Sequence, residues 1–364
     1  MKNTLALLVM AVVMATVARA GELVEFAAYD RAEFSPARGE QFRVPVRLKV
    51  AAEVELRILT SDGDLVRTLK SPRSWTAGDQ EFSWDGKDDD GVIVADEAYV
   101  PVLAARAKDG RSEEIDPRAF SGGETVGDLK VETAASGDIT YTLPAPSRVL
   151  IRVGIKDGPM MRSLATWAPR GAGRNVQRWN GFDQDRLVDL RSHPRLSVLA
   201  TAFRLPQQSI LTVGNPDNDY RAYRKEKGWP EKAAPATELK LERNGQRLSR
   251  SYFLPRFKDP DPRVTLSLIE KLPLSRDQLP VIAGPVTLRV DIPEEDRWLV
   301  QESLYEVAFF VDQEFVSEEE HGYVPFSWRW TPSGLAAGRH LLTVNISGFG
   351  GKVAVRNLLF EIPE

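Results

Sequence analysis

The chain has 364 residues, 52 of them acidic and 48 basic, with no cysteine and a formal net charge of −4. The basic residues alternate with acids instead of clustering, which excludes a dedicated nucleic-acid surface. The missing cysteine excludes disulfides, thiolate metal sites, thiol nucleophiles and a lipidated mature end, so each domain must be held by its apolar core. At the start, Lys2, the apolar run Leu5 to Val17 and Ala18-Arg19-Ala20 read as a signal peptide over residues 1–20. The run is too short for a span of about 20 residues and ends in a cleavage pattern. No later window approaches the ~18 apolar residues of a transmembrane helix, so no integral span is expected after cleavage.

Short alternating runs follow: Phe42-Val44-Val46-Leu48, Val54-Leu56-Ile58, Ile139-Tyr141-Leu143 and Val149-Ile151-Val153. Each places its apolar side chains on one face of a strand and is bounded by turn residues, which predicts an all-β chain of tandem sandwiches. An internal repeat organises the first half. Shifting the chain by 95 residues aligns Arg57, Asp62, Gly63, Arg67, Leu69, Ala77, Gly78, Trp84, Gly86, Asp88 and Asp90 with Arg152, Asp157, Gly158, Arg162, Leu164, Ala172, Gly173, Trp179, Gly181, Asp183 and Asp185. Two copies of one module are therefore expected, with domains over 21–125 and 126–205. Asp62-Gly63 and Asp157-Gly158 read as hairpin turns in which Gly takes the positive φ. Trp84 and Trp179 close apolar strands, and the glycine after the next residue in each motif, Trp84-Asp85-Gly86 and Trp179-Asn180-Gly181, permits a sharp bend.

These residues carry a family resemblance. The run Leu56 to Leu69, then Gly78, the segment Trp84-Asp-Gly-Lys-Asp-Asp-Asp-Gly91 and Tyr99 resemble the immunoglobulin-like domain of the flagellar hook-cap protein FlgD. The second copy is similar but departs from the pattern: Asn180 replaces the Asp, and no Gly follows Asp185. The resemblance implies an immunoglobulin or fibronectin-like sandwich and no activity. A hook-cap role is not carried over, because the flagellar members lack a cleavable signal and their hook-anchoring segment has no counterpart here.

Residues 206–263 form a turn-rich connector with a hairpin expected around Asn244-Gly245, its strands over Thr237 to Leu241 and Leu248 to Phe253, packed on copy two or on the last domain. The best helical stretch in the chain is Tyr220 to Lys227. Over 264–364 the alternation resumes. Phe309-Phe-Val-Asp312, Pro325-Phe-Ser-Trp-Arg-Trp330, Gly338 to Val344 and Leu358 to Ile362 resemble bacterial immunoglobulin-like domains of cell-surface and carbohydrate-active proteins, which implies a third sandwich.

Chemistry has few candidates. Asp85, Asp88 and Asp90 crowd one loop, where calcium would find carboxylates. Their spacing misses the EF-hand pattern, and a turn whose Asp side chains bond their own backbone is the preferred reading. Phe326, Trp328 and Trp330 share one face of a predicted strand, as either a sugar-stacking platform or a core strand, with core preferred. Trp75, Trp167 and Trp229 lie outside clear alternation and are expected to be more exposed. His193, His321 and His340 are scattered, and no nucleophile elbow, phosphate loop or dinucleotide fingerprint is present.

The expectation is thus a non-enzymatic exported protein without cofactor, periplasmic or on the cell surface. Its sandwiches would form a semi-rigid rod that binds a protein partner, strand addition at a sheet edge being one docking mode. A polysaccharide partner, met by the aromatics of the last domain, is the alternative.

Overall fold

A computed structural model describes residues 21–127, 129–216, 218–229, 241–252, 260–301, 304–348 and 350–364. The signal stretch 1–20 lies outside them, as do positions 237–240 and Phe253 of the expected hairpin strands.

Period-two patterning sets the strands: Phe42 to Leu48 buries Phe42, Val44, Val46 and Leu48 and turns Arg43 and Arg47 to solvent. Module one comprises β1 (Val24–Phe26), β2 (Glu33–Phe34), β3 (Phe42–Leu48), β4 (Ala52–Thr60), β5 (Leu65–Lys70), β6 (Gly78–Trp84), β7 (Ala98–Ala107) and β8 (Ser112–Ile115). Its sheets, β1-β3-β6 and β5-β4-β7 with β8 on the outer side of β7, enclose Phe34, Phe42, Leu56, Trp84 and Tyr99. Module two comprises β9 (Thr125–Val126), β10 (Val131–Thr133), β11 (Ile139–Leu143), β12 (Ser147–Ile155), β13 (Met160–Arg170), β14 (Gly173–Gln177) and β15 (Leu196–Arg204). The sheets β10-β11-β14 and β13-β12-β15-β9 face each other across Ile139, Tyr141, Ile151, Met161 and Trp179. The chain is all-β in tandem immunoglobulin/fibronectin-like sandwiches.

The repeat survives in the hydrogen bonds. Gly63 N–H donates to Thr60 O and Thr60 N–H to Asp64 O, and Gly158 and Ile155 make the matching bonds to Ile155 O and Pro159 O. Trp84 Nε1 donates to Lys87 O at 2.9 Å, and Trp179 Nε1 to Phe182 O at 2.8 Å. One detail differs from the sequence reading. The positive φ sits on Gly63 (94°) in copy one but on Asp157 (58°) in copy two. Asp tolerates this region better than most residues, which lets the turn persist with its strain moved by one position. After each Trp, Gly86 (φ 72°) and Gly181 (φ 83°) make the bend, and a Cβ on Gly86 would sit 2.2 Å from Pro36 Cγ.

The connector does not simply lead onward. It contains β16 (Ile210–Thr212), α1 (Tyr220–Glu226), β17 (Glu242–Arg243) and β18 (Gln246–Arg247). Strand β16 returns to module one, antiparallel to β7 at Tyr99 and Ala98 and parallel to β2. Helix α1, capped by Asp219 on Ala222 N–H, lays Tyr223 into the core of module one. The short hairpin turns at Asn244 (φ 49°) and Gly245 (φ 79°), the two left-handed positions of a type I′ turn. It sits at the seam of the first two modules, where Leu248 bridges Glu124 and Arg243 donates to Gly122 O at 2.8 Å. The following Tyr252 packs edge-on against Phe203 of module two.

Module three comprises β19 (Thr265–Leu268), β20 (Val286–Asp291), α2 (Glu294–Gln301), β21 (Tyr305–Val311), β22 (Glu314–Glu319), β23 (Phe326–Trp330), β24 (Gly338–Gly348) and β25 (Val353–Ile362), in sheets β19-β20-β23 and β22-β21-β24-β25. Among the described residues no helix is long and apolar enough to cross a membrane.

Candidate functional site

The Asp-rich turn of module one is a docking socket for α1. Asp88 is buried, and its Oδ1 accepts from Asp90 N–H at 3.0 Å and Val92 N–H at 2.9 Å. Its Oδ2 accepts from the Tyr223 hydroxyl at 2.8 Å and pairs with Lys227 Nζ at 2.5 Å, while Asp90 meets the same ammonium at 2.8 Å. Burial alone would raise the Asp88 pKa; the bonds from Lys227, Val92 and Tyr223 outweigh it and hold the carboxyl below its ordinary range. Burial beside Asp88 pushes the Tyr223 hydroxyl far up, so it stays a donor. Asp85 accepts from Lys87 N–H at 3.1 Å in a local turn. The positive charge at this loop is thus supplied by Lys227. No group of three or more His, Asp or Glu side chains that could hold a metal occurs among the described residues.

Copy two builds the same turn and spends it on a different neighbour. Asn180 Oδ1 accepts from Phe182 N–H at 3.2 Å, as Asp85 does from Lys87. Buried Asp183 accepts from Leu187 and Val188 N–H at 2.6 and 2.7 Å on one oxygen, and from Asp185 N–H and Asn357 Nδ2 of module three on the other. Around it, Asp185 accepts from Asn357 N–H at 2.6 Å and pairs with Arg356, and Asn345 makes two bonds with the backbone of Met160. In module three Asn357 is fixed in turn by a bond from Thr343 Oγ1 at 2.7 Å.

The seam of modules one and two holds a fully buried ion pair. Arg148, at the start of β12, donates to Glu97 Oε1 at 2.5 Å and Ser61 Oγ at 2.8 Å in module one, and to Trp167 O at 3.0 Å in its own module. Trp167 adopts a φ of 51°, an uncommon backbone state for a bulky residue, at a place where its carbonyl meets the guanidinium. Sequence reading missed this pair. Arg148 follows Ser147 and precedes the apolar run Val149 to Ile151, and only the return of the chain through β16 brings Glu97 and Thr212 to one seam. A lighter brace joins α1 to module three, the Arg221 guanidinium lying 4.7 Å from the Trp298 ring centre. The modules are therefore cross-braced and not strung as independent beads.

Phe326, Trp328 and Trp330 face inward from β23. Phe326 and Trp330 are buried, Trp328 packs against Phe309 in a tilted arrangement with ring centres 4.6 Å apart, and Ser327 and Arg329 take the solvent side. Trp167, expected to be exposed, is buried against Phe203, and Trp75 and Trp229 pack partly buried on the core of module one. Among the described residues the aromatics most open to solvent are Phe315 and Tyr323, at 56% and 55%. His340 bridges Asp312 Oδ2 at 2.6 Å and Ala336 O at 2.8 Å, which pins the turn.

The family model of the FlgD Ig-like domain matches residues 33–109, which is module one from β2 to the end of β7. No curated protein matches the chain. Among solved structures, fibronectin(III)-like modules of Clostridium thermocellum CbhA are 9% identical over 94% of this chain and 94% of that one, at a TM-score of 0.20. FlgD from P. aeruginosa is 17% identical over 41% of this chain and 95% of its own, at 0.22, and a bacterial ice-binding adhesin is 11% identical over 94% and 98%, at 0.19. At identities and scores this low, the fold rests on the chain's own sheets.

Proposed function

We propose that this chain is an exported, non-enzymatic scaffold. It would consist of two FlgD-type immunoglobulin-like modules over 21–125 and 126–205, the connector over 206–263 and a bacterial immunoglobulin-like module over 264–364, released by cleavage after residue 20 into the periplasm or beyond. Its work is to hold and position another protein of the envelope or extracellular space. The observation that carries this reading is the use of the polar side chains. Asp88, Asp183, Arg148 and Glu97, which a catalytic or metal site would draw on, are buried and bonded across seams between elements. Such networks fix relative orientation, which is what a positioning device needs. The polysaccharide alternative has less support, since Phe326 and Trp330 are buried and Trp328 is covered by Phe309.

The test is a pull-down from native envelope with the full mature chain as bait, beside a polysaccharide panel. A defined protein partner without glycan binding supports the scaffold. Glycan binding that disappears in a folded Trp328→Ala variant would replace it with sugar recognition.

A further inference from the structure

The three sandwiches differ in how the outer edge of one strand is closed. In module three, β25 covers β24 from Gly338 to Ser347, sending Ala354, Leu358 and Phe360 into the core. In module one, β8 and β16 cover opposite ends of β7. In module two, β9 meets β15 at Ala202 and Phe203, and Arg204 exchanges bonds with Glu124 and Gly123. From Leu196 to Thr201 no strand among the described residues pairs with that edge. The chain that follows β15, which would be positioned to close it, has gone to module one as β16.

The open edge has a definite chemistry. Register with β12 runs without a shift from Ser147↔Arg204 to Ile155↔Leu196. Because Arg204 bonds outward, alternation makes Ala200 and Val198 direct their N–H and C=O groups outward as well. Leu196, Val198 and Ala200 turn their side chains toward the core yet stay partly exposed, with Val126, Leu129 and Val131 packed on the same core. A Cβ on Gly127 would meet nothing within 4 Å, so space lies beyond the point where β9 leaves β15. Three other edges are guarded. Strand β22 carries Glu314, Glu318 and Glu319, and β13 carries Arg162, Pro169 and Arg170. On β25 the Val353 and Asn357 N–H groups are taken by the Asp261 and Asp185 carboxylates. The segment Leu196-Ser-Val-Leu-Ala-Thr201 has no charge and no proline, and exposes 55% of Leu199, which is what an edge built to avoid pairing does not do.

We propose that the edge Leu196 to Thr201 accepts an extended segment of an exported protein partner as an added antiparallel strand, with apolar side chains at alternate positions filling the slot beside Val126 and Val131. The orientation continues that of β9, and the alternation matches β25, which fills this place in module three. The inference rests on the scaffold reading and names where the partner docks.

A fluorescent peptide with the sequence of residues 353–362 is the probe, and one of the same composition with its alternation scrambled is the control. Saturable binding of the first to the full mature chain is expected, with the scrambled peptide about tenfold weaker or worse. Ala200→Pro removes an outward N–H without breaking an internal bond, and Leu199→Lys places a charge on the edge through an exposed side chain. Each should weaken binding about tenfold while circular dichroism and the thermal midpoint hold, and if the proline variant misfolds the lysine variant decides alone. No saturable binding, or full binding by the folded variants, overturns the proposal. Concentration-dependent dimers that vanish in the variants overturn it in favour of a second copy at this edge. In the envelope pull-down, a partner recovered equally by the parent and Leu199→Lys sinks the edge and spares the scaffold. Peptide binding with no envelope partner sinks the scaffold and spares the edge.

Discussion

In module one the Asp88 turn receives a helix of the connector, and the outer edge of β7 is covered at both ends by this chain's own strands. In module two the equivalent Asp183 turn receives a side chain of module three, and among the described residues no strand pairs with most of the outer edge of β15. One repeated pattern has thus been put to two uses. The turn is a general socket whose carboxylate takes backbone N–H groups and keeps a lone pair on one oxygen for whatever packs against it. What packs there follows the path of the chain after β15, which returns to module one as β16.

The largest effect that can break this comparison lies at the seam between the two. Arg148→Met leaves Glu97 buried without its cation and should cost about 3–5 kcal/mol in denaturant unfolding, most of it recovered by pairing the change with Glu97→Leu. If Arg148→Met costs nothing, the seam is open in solution, and modules one and two move independently.

The sockets come next. Asp88→Ala and Asp183→Ala each strand several N–H donors, at about 1–3 kcal/mol each. Their local consequences should separate: Asp88→Ala speeds proteolysis around Tyr220 to Trp229, and Asp183→Ala speeds hydrogen exchange along β25. Acid sharpens the distinction. The Asp88 carboxyl is held below its unfolded value, so its stabilisation is present above pH ~3.9 and is lost as pH falls through the folded pKa. Release of α1 on acidification should therefore precede global unfolding, and Asp88→Asn should remove that step. His340 in module three has the opposite sign. Burial opposes its charge, but the bonds to Asp312 and Ala336 O outweigh this and raise its pKa, so its contribution is full below ~6.5 and fades as pH rises through the folded value. Asp312→Asn should flatten that alkaline loss in a thermal-midpoint series.

Much of this was legible in the sequence because it is local. Apolar alternation showed the strands, and the shift of 95 residues showed that Trp84 and Trp179 correspond; the bond each makes to a carbonyl three residues on came only with the structure. The Asn244-Gly245 turn and the short helix from Tyr220 were visible for the same reason. The non-local pairings were not legible. Nothing in Ile210-Leu-Thr212 says that it pairs with β7 across a whole intervening module, nor does Lys227 announce that it will neutralise Asp88 and Asp90. Trp167 was misjudged because a positive φ breaks its alternation and hides a buried residue inside an irregular strand.

The smallest effect lies inside the two sockets themselves. Gly91 N–H donates to Asp88 O at a φ of 81°, and Arg186 N–H makes the same bond to Asp183 O at a φ of 60°. A Cβ in the left-handed region costs on the order of 1 kcal/mol, so copy two carries a strain that copy one avoids. A Cβ at Gly91 would meet nothing within 4 Å, so Gly91→Ala isolates the backbone cost from any clash. It should destabilise the chain by about 1 kcal/mol in chemical denaturation. Arg186→Gly should gain about as much as Gly91→Ala loses, because backbone strain and unfolded-state freedom enter the two changes with opposite signs. Equal and opposite shifts would mean that the two turns carry the same backbone cost and that the arginine side chain adds nothing to it. A loss from Arg186→Gly would mean that the arginine side chain holds the socket of module two, and the two turns would then differ in more than the neighbour they receive.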